Sequence, residues 1–163
     1  MPTLLAIKGF FQKKVAEPVL NLLKQGITPK RLALSMASGA VIGMFPIIGS
    51  TTLICTVIAL VLRLNLPAIQ LANYLVYPLQ IILVIPFINF GAVLFQIDMP
   101  PLSAQELTLL FEQDFWGTIV SFLDAILCAV AAWVLFCIPV FPALYLVLVP
   151  VFSKVKLARA DMD

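Results

Sequence analysis

Charged residues vanish from three long stretches of the chain, Leu32–Leu62, Leu64–Ile97 and Ala125–Ser153, which hold 31, 34 and 29 residues. A run of about 20 apolar residues is enough to cross a bilayer as a helix, so each stretch predicts membrane-embedded helix. The first is too long for one straight crossing: at about 1.5 Å per residue it would run about 46 Å through a hydrocarbon core of about 30 Å. It is also interrupted, by Gly43-Met44-Phe45-Pro46-Ile47-Ile48-Gly49 and then Ser50, Thr51 and Thr52. Pro46 lacks a backbone donor and the flanking glycines permit a turn. Two geometries fit: a kinked crossing, or a re-entrant hairpin of half-helices at Ser35–Phe45 and Ser50–Leu62, about 16 and 20 Å long.

The second stretch opens at Asn65-Leu66-Pro67 and carries Gln70, Asn73, Tyr77 and Gln80 at intervals of three, four and three. At the helical period these share an arc of about 80°, a polar stripe that lipid does not tolerate. It faces either a packed interior or a solute-bearing cavity. Pro78 and Pro86 interrupt this segment, and Pro139, Pro142 and Pro150 predict kinks in the third stretch. Ser35, Gly39 and Gly43 recur every four residues, a small-residue ribbon suited to close helix packing, within the chain or in a homo-oligomer.

The ends read differently. Residues 1–27 alternate apolar positions with Lys8, Lys13, Lys14 and Lys24, as amphipathic helices on a membrane surface do. Thr28-Pro29 then starts a new helix, with Thr28 as its cap. Between the second and third stretches, Ser103-Ala104-Gln105-Glu106 forms a capping box, and Phe115 and Trp116 suit an interface. Asp124 stands at the edge of the last span, an interfacial cap or an intramembrane carboxylate.

Charge counting separates the two geometries of the first stretch. Three simple crossings would put six basic residues inside and four outside. A re-entrant hairpin followed by two crossings puts all ten inside and leaves the acidic segment 98–124 outside, which the positive-inside rule favours. The expected architecture is therefore an all-α integral membrane protein: a surface segment (1–27), then a membrane domain (28–163). That domain comprises a re-entrant hairpin (28–63), a span (64–97), an external acidic loop (98–124), a second kinked span (125–153) and a cytoplasmic tail (154–163). Both termini face the cytoplasm.

Composition closes other routes. The chain of 163 residues is 63% hydrophobic and 11% charged, far from a soluble protein, and it has no histidine. With no carboxylate pair in a span and no nucleophile motif, an enzyme is not expected, nor is a metal or cofactor. Cys55, Cys128 and Cys137 lie in apolar stretches without paired spacing and read as small buried hydrophobes. A net charge of +2 gives no footprint for nucleic acid.

Several motifs fall in a recognisable order: Thr28-Pro29-Lys30-Arg31-Leu32-Ala33, then Gly39 through Thr52, then Leu62-Arg63-Leu64-Asn65, and later Asn73 through Gln80 and Gly91. This pattern resembles the bacterial membrane family called domain of unknown function 2062, most closely over residues 26–96. Tyr77 stands where the family pattern has Asn before its second proline, and Gln80 where it often has Thr. The resemblance implies a bacterial inner-membrane location. It also hints at envelope polysaccharide assembly and lipid-carrier traffic, because some relatives are joined to or resemble proteins near glycosyltransferases.

The functional expectation is a membrane transport or lipid-handling protein that binds or moves an anionic lipid or polyprenyl-phosphate carrier. Broken half-helices present backbone donors to anions. The expected ligand-binding residues are Gly43, Pro46, Gly49, Ser50, Thr51, Thr52, Arg63, Asn65, Asn73, Pro78 and Gln80, with Ser35, Gly39 and Gly43 packing helices. The alternative is a non-transporting scaffold that holds an envelope-assembly enzyme such as a glycosyltransferase. Its partner-binding surfaces would be the small-residue ribbon and the basic helices.

Overall fold

The computed structural model describes residues 27–97 and 114–160; the basic N-terminal segment and the capping box at 103–106 lie outside them. Within the described residues every element is helical: α1 (Pro29–Gly43), α2 (Thr51–Val61), α3 (Leu66–Leu75), α4 (Tyr77–Phe95) and α5 (Phe115–Ala160). Two of them, α4 and the Trp116–Val155 portion of α5, are long and apolar enough to cross a membrane.

Local chemistry sets the helix ends. Thr28 Oγ1 accepts from Arg31 N at 3.3 Å and Pro29 opens α1, as its fixed φ suits. Asn65 caps α3 in the same way, accepting from Ala68 N at 2.8 Å. Helix α1 stops at Gly43, ahead of Pro46, which cannot donate and which disfavours helix in the residue before it. The turn into α2 passes Gly49 at φ 89°, backbone that glycine adopts without steric cost. Helix α2 closes on a Schellman motif, Leu64 N donating to Ala59 O at 2.8 Å and Arg63 N to Leu60 O at 3.4 Å.

Three expected boundaries move. The second apolar stretch, expected as one span over 64–97, divides at Val76 into α3 and α4. Pro78 is the reason: it has no N–H for the carbonyl of Tyr74, and it sits in the first turn of α4, where none is needed. Helix α5 begins at Phe115, so residues 115–124 belong to it rather than to the acidic loop. Asp114 caps that start, its Oδ1 accepting from Gly117 N at 2.9 Å. At the far end α5 continues to Ala160, so most of the expected tail is helical. Pro139, Pro142 and Pro150 each remove a donor inside α5 without ending it.

Small residues govern the packing. Helices α1 and α3 run parallel: Asn65 N, at the start of α3, donates to Ser35 Oγ in the middle of α1 at 3.0 Å, and Gly43 abuts Asn73 and Val76 near the ends of both. Midway, a methyl on Gly39 would collide with the carbonyl oxygen of Ile69. Ser35, Gly39 and Gly43 are all buried, and α3 packs on the ribbon's face. Helix α2 runs back along α3, placing Cys55 and Ala59 on Ile69. Leu32, Ala33 and Met36 of α1 join Ala68 and Ala72 of α3 and Phe152 of α5 in the largest cluster.

Helix α5 is the spine. Along its first half lies α4, with Phe87 on Ala129 and Ala132, and with Gly91 so close that a methyl there would strike the Cys128 backbone. Along its second half lies α1. The two meet where Phe45 sets its ring edgewise against Trp133, centroids 4.9 Å apart at 82°.

The close approaches have a measurable consequence. Gly39→Ala must push the α1 and α3 backbones apart, and Gly91→Ala those of α4 and α5, so each is expected to lower stability by about 1–3 kcal/mol. Gly49 has open space around it, so Gly49→Ala meets only the left-handed backbone, about 1 kcal/mol. Thermal unfolding of the three variants in detergent tests the ranking; a Gly39 variant as stable as the parent would refute the α1–α3 crossing.

Candidate functional site

The parallel run of α1 and α3 brings two helix breaks together, the one after Gly43 and the one at Val76. Breaks leave backbone groups without helical partners, and side chains from α3, α4 and α5 bond to backbone at the break and beside it. Gln80 Nε2 donates to Phe45 O at 2.7 Å, and Trp133 Nε1 donates to Val41 O at 3.0 Å. Gln70 Nε2 donates to Thr52 O at 2.9 Å and to Thr56 Oγ1 at 3.0 Å. Asn73 Nδ2 donates to Gln70 Oε1 at 3.3 Å and reaches Thr52 Oγ1 at 3.5 Å. The polar stripe thus faces inward, clasping the broken segment, with Asn73 and Gln80 only 3% and 1% exposed.

Tyr77 leaves the stripe and is exposed. The angular count that joins Gln70 to Asn73 does not carry across the break at Val76, which restarts the helix with its own phase. Trp133 joins the clasp although its position gave no functional reading. The signal was available: a tryptophan in the middle of an apolar stretch, away from any interface, needs a partner for its N–H.

Of the expected ligand-binding residues, Gly43, Pro46, Gly49, Ser50, Thr51, Thr52, Asn73 and Gln80 gather at the break, with Pro78 beside them at the start of α4. Arg63 and Asn65 do not. They lie at the other end of α2, which has 11 residues and is therefore about 16 Å long. Asn65 serves there as the α3 cap. Arg63 is exposed, holding φ 52° where glycine would be unstrained, and it shares that end of the molecule with Lys30, Arg31 and Lys154.

The break also juxtaposes opposite helix ends. Helix α1 brings the negative end of its macrodipole and α2 the positive end of its own. Ser50 does not cap α2; its hydroxyl donates to Ile47 O at 2.8 Å, leaving the first-turn amides of α2 without a side-chain acceptor. Among the described residues no cluster of His, Cys, Asp or Glu could hold a metal, and Cys55, Cys128 and Cys137 are free thiols. An apolar groove of about 380 Å³ runs between α1 and α5, lined by Ser38, Val41, Trp133, Cys137, Phe141 and Pro142 among others.

No curated protein and no solved structure matches this chain. A family model does, over residues 12–160, a stretch that takes in both breaks, the polar stripe and the whole of the α5 spine. The chain therefore belongs to the bacterial family described as "Uncharacterized protein conserved in bacteria (DUF2062)".

Proposed function

We propose that this chain is an integral protein of the bacterial cytoplasmic membrane that binds or moves an anionic lipid, such as a phospholipid or a polyprenyl-phosphate carrier. Its surface supports the membrane assignment. Of the most apolar windows of α4 and α5, 22% and 0% of residues are buried, leaving side chains such as Val93, Leu127 and Ile138 facing outward. Water does not accommodate so continuous an apolar surface. The basic residues Lys30, Arg31, Arg63 and Lys154 share one end, as positive-inside topology asks, with both termini cytoplasmic.

In this frame α1 and α2 leave the basic end and return to it, so they form a re-entrant hairpin. The uncharged length of α5, 29 residues or about 43 Å, fits a core of about 30 Å when inclined by about 45°. At the same slant the 15 residues of α1 carry its end about 16 Å deep, close to the midplane. The lipid-binding assignment rests on what lies there: the uncapped N-terminus of α2 beside a polar stripe. Backbone amides at a half-helix start bind anions, and discontinuous helices near the midplane hold the substrates of many transporters. Arg63, Lys30 and Arg31 would gather anionic head groups at the entrance.

Topology is checked first, with the native cysteines replaced and single cysteines introduced. Arg63→Cys and Lys154→Cys are expected to react from the cytoplasmic side and Gln105→Cys from the outside; labelling of the first two from opposite sides refutes the hairpin. Function is checked in liposomes with a labelled phospholipid or polyprenyl phosphate. Thr51→Val, Thr52→Val and Pro46→Ala are each expected to slow transfer about tenfold, a barrier change of about 1.4 kcal/mol. Unchanged rates in all three would remove the site, and a parent protein that transfers nothing would leave the scaffold reading in its place.

A further inference from the structure

Gln80 holds an unanswered polar atom. The residue is 1% exposed, and its Oε1 is buried without a hydrogen-bond partner. The orientation of the amide is decided by its neighbour, since Nε2 donates to Phe45 O at 2.7 Å and turning the amide over would set two acceptors face to face. Covalent geometry puts Oε1 about 2.2 Å from Nε2, and so within about 5 Å of Phe45 O.

Helix ends of both signs surround that oxygen, α1 bringing a negative one and α2 and α4 positive ones. Helix α1 ends beside it with no basic residue in its last turn, so no side chain offsets the negative end of its macrodipole. Met44, next to Phe45, is 4% exposed, and no hydrogen bond among the described residues reaches its carbonyl. The donors nearby, Gln80 Nε2 and Trp133 Nε1, are already engaged with Phe45 O and Val41 O. A full negative charge is lacking too: residues 27–97 contain no Asp or Glu.

Neutral oxygens gathered at a helix C-terminus, with no carboxylate, suit a cation of single charge. Divalent ions draw on carboxylates, whereas unwound carbonyls and half-helix C-termini hold Na⁺ in transporters built on broken helices. We propose that a monovalent cation, Na⁺ foremost, binds at the C-terminal end of α1. Gln80 Oε1 and the freed carbonyls of the break, Phe45 O among them, are its ligands. Phe45 O keeps its bond from Nε2 while serving, because a carbonyl has two lone pairs. The inference rests on this orphaned acceptor and does not require an anion at α2.

The purified full chain in detergent, melted in NaCl, KCl, LiCl or N-methyl-D-glucamine chloride at equal ionic strength, tests the site. One alkali cation is expected to raise the melting temperature, by about 3 °C or more at ten times its dissociation constant and then with the logarithm of its concentration. Gln80→Leu is expected to lose that rise. Equilibrium binding of ²²Na⁺ to the parent protein, expected at one per chain, keeps the test decisive should the leucine variant fail to fold. Identical melting in all four salts with no retained ²²Na⁺ would overturn the proposal and assign the oxygen to water alone. So would a cation response unchanged in Gln80→Leu.

Discussion

A helix broken inside an apolar body leaves carbonyls and amides that neither lipid nor hydrocarbon side chains can satisfy, and the rest of this molecule is arranged around that requirement. The break between Gly43 and Ser50 is met by Gln80 at Phe45 O, while Trp133 and Gln70, from two other helices, bond to Val41 O and Thr52 O on either side of it. For those side chains to arrive, α3 must lie against α1 at a spacing that only small residues allow. Gly39 provides it, leaving no room for even a methyl group against Ile69. The clasp and the crossing therefore stand together: bulk at the crossing would move the donors off their carbonyls.

The spine follows from the same constraint. Helix α5 is uncharged over 29 residues, Ala125–Ser153, and cannot cover itself. It takes α4 against its first half and α1 against its second, so the two breaks fall at the junction, where Phe45 meets Trp133. The three prolines within α5 each remove a donor from its ladder without dividing it. Pro78, by contrast, coincides with the end of one packing surface and the start of another, and there the chain does divide.

Opposed helix ends give the junction its chemistry. In the membrane frame proposed here, the positive end of α2 and the negative end of α1 meet near the midplane, one suited to an anion and the other to a cation. Neither end has a charged side chain to neutralise it. The basic residues stay at the far end of the hairpin, about one half-helix away.

Much of this was legible in the residues themselves. Uncharged runs, Thr28-Pro29, Asn65-Leu66-Pro67 and the Gly43–Gly49 interruption locate helices and breaks, because apolar length, capping side chains and missing donors act locally. The inward turn of Gln70, Asn73 and Gln80 was likewise implied by helical period and the cost of unpaired amides. What the linear pattern left open was decided by contacts distant in sequence. Whether Ser35, Gly39 and Gly43 would receive a helix of the same chain or of another depended on where α3 came to lie. The separation of Arg63 and Asn65 from the break depended on α2 running back along α3. The role of Trp133 depended on a carbonyl 92 residues earlier. The sequence by itself determined where this backbone can and cannot be helical; only the tertiary structure decided which side chains complete it where it is not, because those hydrogen bonds join segments that sequence spacing does not relate.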